Sequence, residues 1–82
     1  MLQYEDILAQ IYSVLQGIAR DNREINETTD LVVDLGLDSM AVMELLAAIE
    51  DRFDISIPLN ILPDVRTVKD LALQIQQLMV ES

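Results

Sequence analysis

Three stretches of this chain space their apolar side chains by threes and fours, and none alternates apolar with polar long enough to read as a strand. That spacing keeps returning to one face of a 3.6-residue helix, so the chain is confined to helices that bury their stripes against one another. The first stripe is Tyr4, Ile7, Leu8, Ile11, Val14, Leu15 and Ile18; the second is Val42, Leu45, Leu46, Ile49 and Phe53. Val68, Leu71, Ala72, Ile75, Leu78 and Met79 make the third. The alternation in Ile55 to Ile57 is too short to compete.

The boundaries follow from punctuation. Gly17 costs about 1 kcal/mol of helix propensity relative to alanine, and the pattern dissolves in "ARDNREINETTD", so the first helix is expected to end around Gly17 to Arg20. The connection then runs to Asp38, long enough that it must pack down or carry function, with Leu31, Val32, Leu35 and Leu37 as its expected anchors. Asp38 has the chemistry of an N-cap, which makes Ser39 the first residue of the second helix. Pro58 and Pro63 allow one short helix between them, begun by the first and stopped by the second, with Ile57, Leu62 and Val65 facing inward. Thr67 and Asp70 form a threonine-x-x-aspartate capping box for the last helix. The predicted fold class is all-α: a single domain over residues 1–82, a small bundle of three long helices plus one short one, a four-helix bundle in outline.

Composition narrows the chemistry. The chain has 82 residues, room for one core, and 51% of them are apolar, too many for a disordered acidic tail. It contains no cysteine and no histidine, which removes disulfides, thiolate chemistry, zinc–thiolate sites and the commonest general base. Fifteen acids against five bases leave a net charge of −10, which repels nucleic acid and anionic lipid and calls for basic partners. The segment "MLQYEDILAQ" does not read as a signal peptide, and Glu44 interrupts the longest apolar candidate, Met40 to Ile49, well short of the ~20 residues of a membrane span. A monomeric cytoplasmic protein is the expectation.

Ser39 then poses a chemical question. A serine hydroxyl is a weak nucleophile without an oriented base, and the titratable neighbours on offer are carboxylates and Lys69. At a helix N-terminus, however, free N–H groups and the positive end of the dipole favour a phosphate carried on a side chain, so the position suits modification rather than catalysis. Asp30, Asp34 and Asp38 do not make a calcium loop: counting from Asp30 puts Leu35 and Ala41 at the sixth and twelfth positions, and counting from Asp34 puts Ser39 and Leu45 there. On the second helix, Met40, Glu44, Ala47 and Asp51 fall opposite the buried stripe, with Met43, Glu50 and Asp54 at the flank.

The segment "DLGLDSMAVMELLAAIEDRFDISIP", Asp34 to Pro58, resembles the acyl carrier protein family, and the helix lengths on either side extend the likeness over essentially the whole chain. The resemblance implies that a phosphopantetheinyl transferase moves 4'-phosphopantetheine from coenzyme A onto Ser39, flanked by Asp38 and by Gly36 in a turn that leaves space for the enzyme. Acyl groups then ride as thioesters on the arm's terminal thiol, and the protein is a carrier, not an enzyme. It also implies a partner face of Asp38, Glu44, Glu50 and Asp51 with Met40 and Met43 as apolar contacts, to which the helical angles add Ala47 and Asp54, and this face meets basic patches on acyl-loading and acyl-processing enzymes. Ala41, Arg52 and the stretch "PLNILPDV" depart from carriers of bulk fatty acid synthesis and look closer to discrete carriers of polyketide, nonribosomal peptide or other specialised pathways, with fatty-acid-like biosynthesis kept beside them. Two alternatives stand beside it: an aminoacyl or peptidyl carrier of nonribosomal synthesis, and an acidic helical adaptor without a prosthetic group.

Overall fold

A computed structural model describes residues 3–18 and 24–81. Helix α1 spans Tyr4–Ile18, α2 Ser39–Phe53 and α3 Val68–Glu81, with a 3-10 helix over Leu59–Asp64. The expected end of the first helix falls at Ile18; the rest of the interval drawn for it, to Arg20, lies outside the described residues, as do positions 21–23 of the connection. The short element is a 3-10 helix, so the four-helix bundle of the sequence reading is a bundle of three α-helices with a 3-10 connection.

Helix α1 lies against both α2 and α3. Its stripe buries Ile7, Leu8, Ile11, Val14 and Leu15, while Tyr4 and Ile18 at the ends are half-buried. Leu45, Leu46 and Ile49 of α2 and Val68, Leu71, Ala72 and Ile75 of α3 complete the same core, with Val42, Phe53, Leu78 and Met79 packed half-buried at its edge. Ile57 is buried and Leu62 and Val65 are half-buried, as their pattern predicts; Ile61 is also buried, which no periodicity announced because the element around it is short and 3-10.

The second proline does not stop that element. Pro58 is its N-cap, but the helix continues through Pro63 to Asp64. Proline lacks an N–H, and the turns are held on either side of it, by Ile61 N–H donating to the Pro58 carbonyl at 3.3 Å and Val65 N–H to the Leu62 carbonyl at 3.2 Å. At α3 the capping box forms in both directions: Thr67 N–H donates to Asp70 Oδ2 at 3.1 Å and Asp70 N–H to Thr67 Oγ1 at 3.2 Å.

The connection before α2 packs down against the start of α3. Lys69 N–H donates to the Glu27 carbonyl at 2.9 Å, Val68 N–H to Thr29 at 3.1 Å, and Leu31 N–H to Arg66 at 2.9 Å, with Asp30 and Thr67 forming an isolated antiparallel bridge. Carbonyls of the connection thus satisfy the first N–H groups of α3. At its other side Tyr4 Oη donates to Glu27 Oε1 at 2.7 Å.

Burial first, then the bond to Glu27 and its negative charge, push the Tyr4 phenol up from its ordinary 10.0 to about 12, and burial raises Tyr12 as well. Because the folded chain disfavours tyrosinate, this contribution to stability is whole below the ordinary value and is lost as pH rises through about 12. An ultraviolet titration is therefore expected to find both phenols ionising late, with Glu27→Gln bringing Tyr4 partway back. A Tyr4 midpoint at its ordinary value would contradict the contact.

Candidate functional site

Residues 30–38 deliver the chain to α2 through a turn organised by two aspartates. Asp30 Oδ1 accepts from Val32 N–H at 2.9 Å and Val33 N–H at 2.8 Å, and Asp30 N–H donates to Asp34 Oδ2 at 2.7 Å. The Asp30 carbonyl takes the N–H groups of Asp34 and Leu35, both at 3.1 Å, which closes a helix-like turn. Leu31 is buried and Leu35 half-buried, four apart on the inner side of that turn, and Leu37 is buried beyond it. Val32, expected as an anchor, is instead 58% exposed, and Val33 is exposed beside it, because the turn aims their N–H groups at Asp30 and their side chains outward.

Gly36 leaves the turn with φ +67°, a conformation that suits glycine, and a Cβ built there would meet nothing within 4 Å. Asp38 is extended and its Oδ1 accepts from Ala41 N–H at 2.8 Å, so the aspartate is the N-cap of α2 as its chemistry predicts. Ser39 follows as the first helical residue and is exposed. Since the cap is made by its neighbour, the hydroxyl is not committed to holding the helix together.

Of the residues read as a partner face, Met40, Met43, Glu44, Ala47, Asp51 and Asp54 are exposed, Met40 at 73%. Glu50 is half-buried, and its Oε2 accepts from Ile57 N–H at 2.8 Å, tying the end of α2 to the segment that follows. Asp54 adopts the left-handed conformation at φ 54° and closes α2, with Ile55 N–H donating to the Glu50 carbonyl at 3.1 Å. These two acids thus have work inside the fold that helical angles alone did not show. Arg52 points toward α1, where its Nη1 donates to Gln10 Oε1 at 2.6 Å.

On sequence Asp30 reads as a residue of a failed calcium register; in the structure it organises the approach to Ser39. Its Oδ2 accepts from Arg66 Nε at 3.1 Å. The Val33 N–H foremost, with Arg66 and the Val32 N–H behind it, holds this carboxyl below its ordinary range against the opposing effect of burial. The signal available in sequence was an aspartate two and three positions before amides it could accept from, a common turn device.

Ser39 stands at an open helix mouth. Two open grooves lie elsewhere, one lined by Glu24, Asn26, Thr28, Thr29, Asp34 and Leu35, the other by Asp6, Ala9, Gln10, Arg52 and Phe53, and neither includes the serine. The helix dipole favours a phosphoryl group at that mouth, and the exposure of Ser39 leaves room for one. The residues present therefore fit a phosphate-linked group on Ser39. No helix among the described residues is long and apolar enough to cross a membrane.

Comparisons with known proteins agree with this geometry. Residues 8–75 match a family model described as "Phosphopantetheine attachment site". The acyl carrier protein of Syntrophobacter fumaroxidans is 37% identical over 70 residues, 80% of this chain and 86% of that protein. The mitochondrial acyl carrier protein of Saccharomyces cerevisiae is 47% identical over 47 residues, which is 57% of this chain but only 38% of that longer protein. A solved structure described as an acyl carrier protein from Mycobacterium tuberculosis superposes with a TM-score of 0.79 at 32% identity, covering 87% of this chain and 96% of that one. With the phosphopantetheine-site match running across all three α-helices and the fold shared with that solved structure, the chain belongs to the acyl carrier protein family, non-catalytic proteins that bear covalently attached 4'-phosphopantetheine.

Proposed function

We propose that Ser39 is the attachment residue and that the chain is a single-domain, monomeric cytoplasmic carrier of acyl intermediates. The observation that carries the reading is the exposed hydroxyl one residue beyond a cap made by Asp38, at the one end of α2 where a phosphate is electrostatically welcome. When bound, the arm supplies the thiol on which acyl groups are held as thioesters, which is consistent with a chain that has no cysteine of its own. The protein's residues orient the hydroxyl and offer a docking face; a phosphopantetheinyl transferase and the acyl-processing enzymes supply the chemistry. Incubation with coenzyme A and a promiscuous transferase is expected to add the mass of one arm to the intact protein. A wild-type chain that stays unmodified would favour the adaptor reading.

The docking face is read as Met40, Met43, Glu44, Ala47 and Asp51 with Glu50 and Asp54 at its edge, acids around apolar spots that suit basic, partly apolar patches on successive enzymes. Such contacts are steered by charge and weaken as salt rises, which suits a shuttle that must be released by each enzyme. Glu44→Lys is expected to lower kcat/KM with a cognate enzyme roughly three- to tenfold at low salt, with the difference shrinking as salt is added. Circular dichroism is expected to show the fold unchanged; equal kinetics at low salt would remove Glu44 from the face. The departures at Ala41, Arg52 and "PLNILPDV" support a specialised pathway, polyketide assembly among them, over bulk fatty acid synthesis. The mass of the thioester carried when the protein is purified from its own host identifies the cargo, acyl or aminoacyl.

A further inference from the structure

Asp30 precedes the "DLGLDSMAVMELLAAIEDRFDISIP" segment, and it joins three parts of the chain. It is 8% exposed, and its carboxylate accepts from two amides of the pre-serine turn with one oxygen and from Arg66, 36 residues away, with the other. We propose that Asp30 is a positioning residue for the Ser39 hydroxyl, holding the turn before α2 against the start of α3 through Arg66. This rests on Ser39 being the attachment residue.

Arg66 is fixed to the turn twice, by its guanidinium to Asp30 and by its carbonyl to Leu31 N–H at 2.9 Å. The Leu31 carbonyl accepts from Leu37 N–H at 3.1 Å, and the Val32 carbonyl from Gly36 N–H at 2.9 Å. Leu37 leads directly into Asp38 and Ser39. On the helix side the serine is held by the cap; on the loop side the chain reaches it from this turn through Gly36, at φ +67°, and Leu37. Releasing Asp30 from Arg66 removes the side-chain tie and leaves the backbone bonds from Leu31, Val68 and Lys69, so the turn loosens rather than detaches. The looser approach to the first residue of α2 leaves the acids of the α2 face where they are.

Stability and presentation separate in this pair. The Arg66 side chain is largely exposed, and an ion pair with one exposed member contributes little to folding. The same pair matters more to a reaction, because a displacement of about 1 Å at a reacting group costs on the order of 100-fold in rate. A smaller, partly compensated displacement is expected to cost less.

The test loads the full chain with coenzyme A and a promiscuous transferase, well below the melting temperature, and separates kcat from KM for the carrier. Arg66→Ala is expected to lower kcat roughly three- to tenfold with KM within about twofold of wild type, because the docking face is intact. Arg66→Lys is expected to recover most of the loss, since an ammonium can still donate to Asp30. Asp30→Asn, which keeps an acceptor for Val32 and Val33 but drops the charge, falls between the two. Hydrogen exchange, which needs no transferase, is expected to speed up at Leu31 and Leu37 in Arg66→Ala with the core amides of α2 unchanged. Wild-type kcat in both Arg66→Ala and Asp30→Asn, or a change confined to KM or to melting temperature, overturns the proposal. Failure of the wild-type chain to load at all overturns the attachment reading itself, and the positioning role with it.

Discussion

Ser39→Ala is expected to abolish arm loading altogether while leaving stability within ~0.5 kcal/mol of wild type. Both halves of that expectation come from the same geometry. The reaction needs an oxygen nucleophile at this position, and alanine offers none, so intact mass after incubation with coenzyme A and transferase should show no shift at any time. The fold does not need the oxygen, because Asp38 rather than Ser39 accepts from Ala41 N–H and so carries the cap. Ser39 is exposed, and alanine has the better helix propensity, which offsets any small loss at the first turn. Asp38→Ala makes the complementary control: it removes the cap at a cost of about 0.5–2 kcal/mol yet keeps the hydroxyl. A Ser39→Ala chain that still gains an arm would transfer the attachment to another residue and remove the reason for reading this helix mouth as the site.

Ile49→Ala is expected to destabilise the domain by ~2–5 kcal/mol without touching the hydroxyl. Ile49 is 0% exposed, in the middle of the α2 stripe and in the same cluster as the buried residues of α1 and α3. Truncation removes three carbons from a close-packed region and leaves a cavity that the helices can only partly close. For 82 residues, total stability of roughly 4–12 kcal/mol is the ordinary range, so the loss is a large fraction of what the fold has. Urea denaturation followed by circular dichroism measures it; a loss below about 1 kcal/mol would mean that the site collapses around the gap or that Ile49 is not in the core. Loading of the fraction still folded should proceed, which keeps the packing effect separate from the chemistry at Ser39.

Much of this architecture was legible because it is local. Apolar spacing over three and four residues reports a helical face directly, and Ile7, Ile11, Leu15, Leu45, Ile49, Leu71 and Ile75 all lie where that spacing puts them. Caps are equally short-range: Asp38 reaches Ala41, and Thr67 and Asp70 reach each other. The same locality explains the errors. Val32 looks like one more apolar anchor until the turn at Asp30 determines which way each residue faces, and Pro63 looks like a stop until the 3-10 geometry lets the chain run through it. Glu50 sits at the flank of an acidic arc in any helical projection, but its bond to Ile57 depends on where the chain goes after α2 ends.

By itself the amino-acid order determined that the chain makes three amphipathic helices around one core, with an aspartate-capped helix opening on a serine, because each of those features is settled within a turn or two of backbone. Tertiary structure alone decided that the connection before the serine lies against the start of α3, pinned by Asp30 to Arg66 and by Leu31 to the Arg66 carbonyl. Partners 35 or 36 residues apart leave no periodic trace, since their meeting depends on how the helices between them pack and not on the residues adjoining either one.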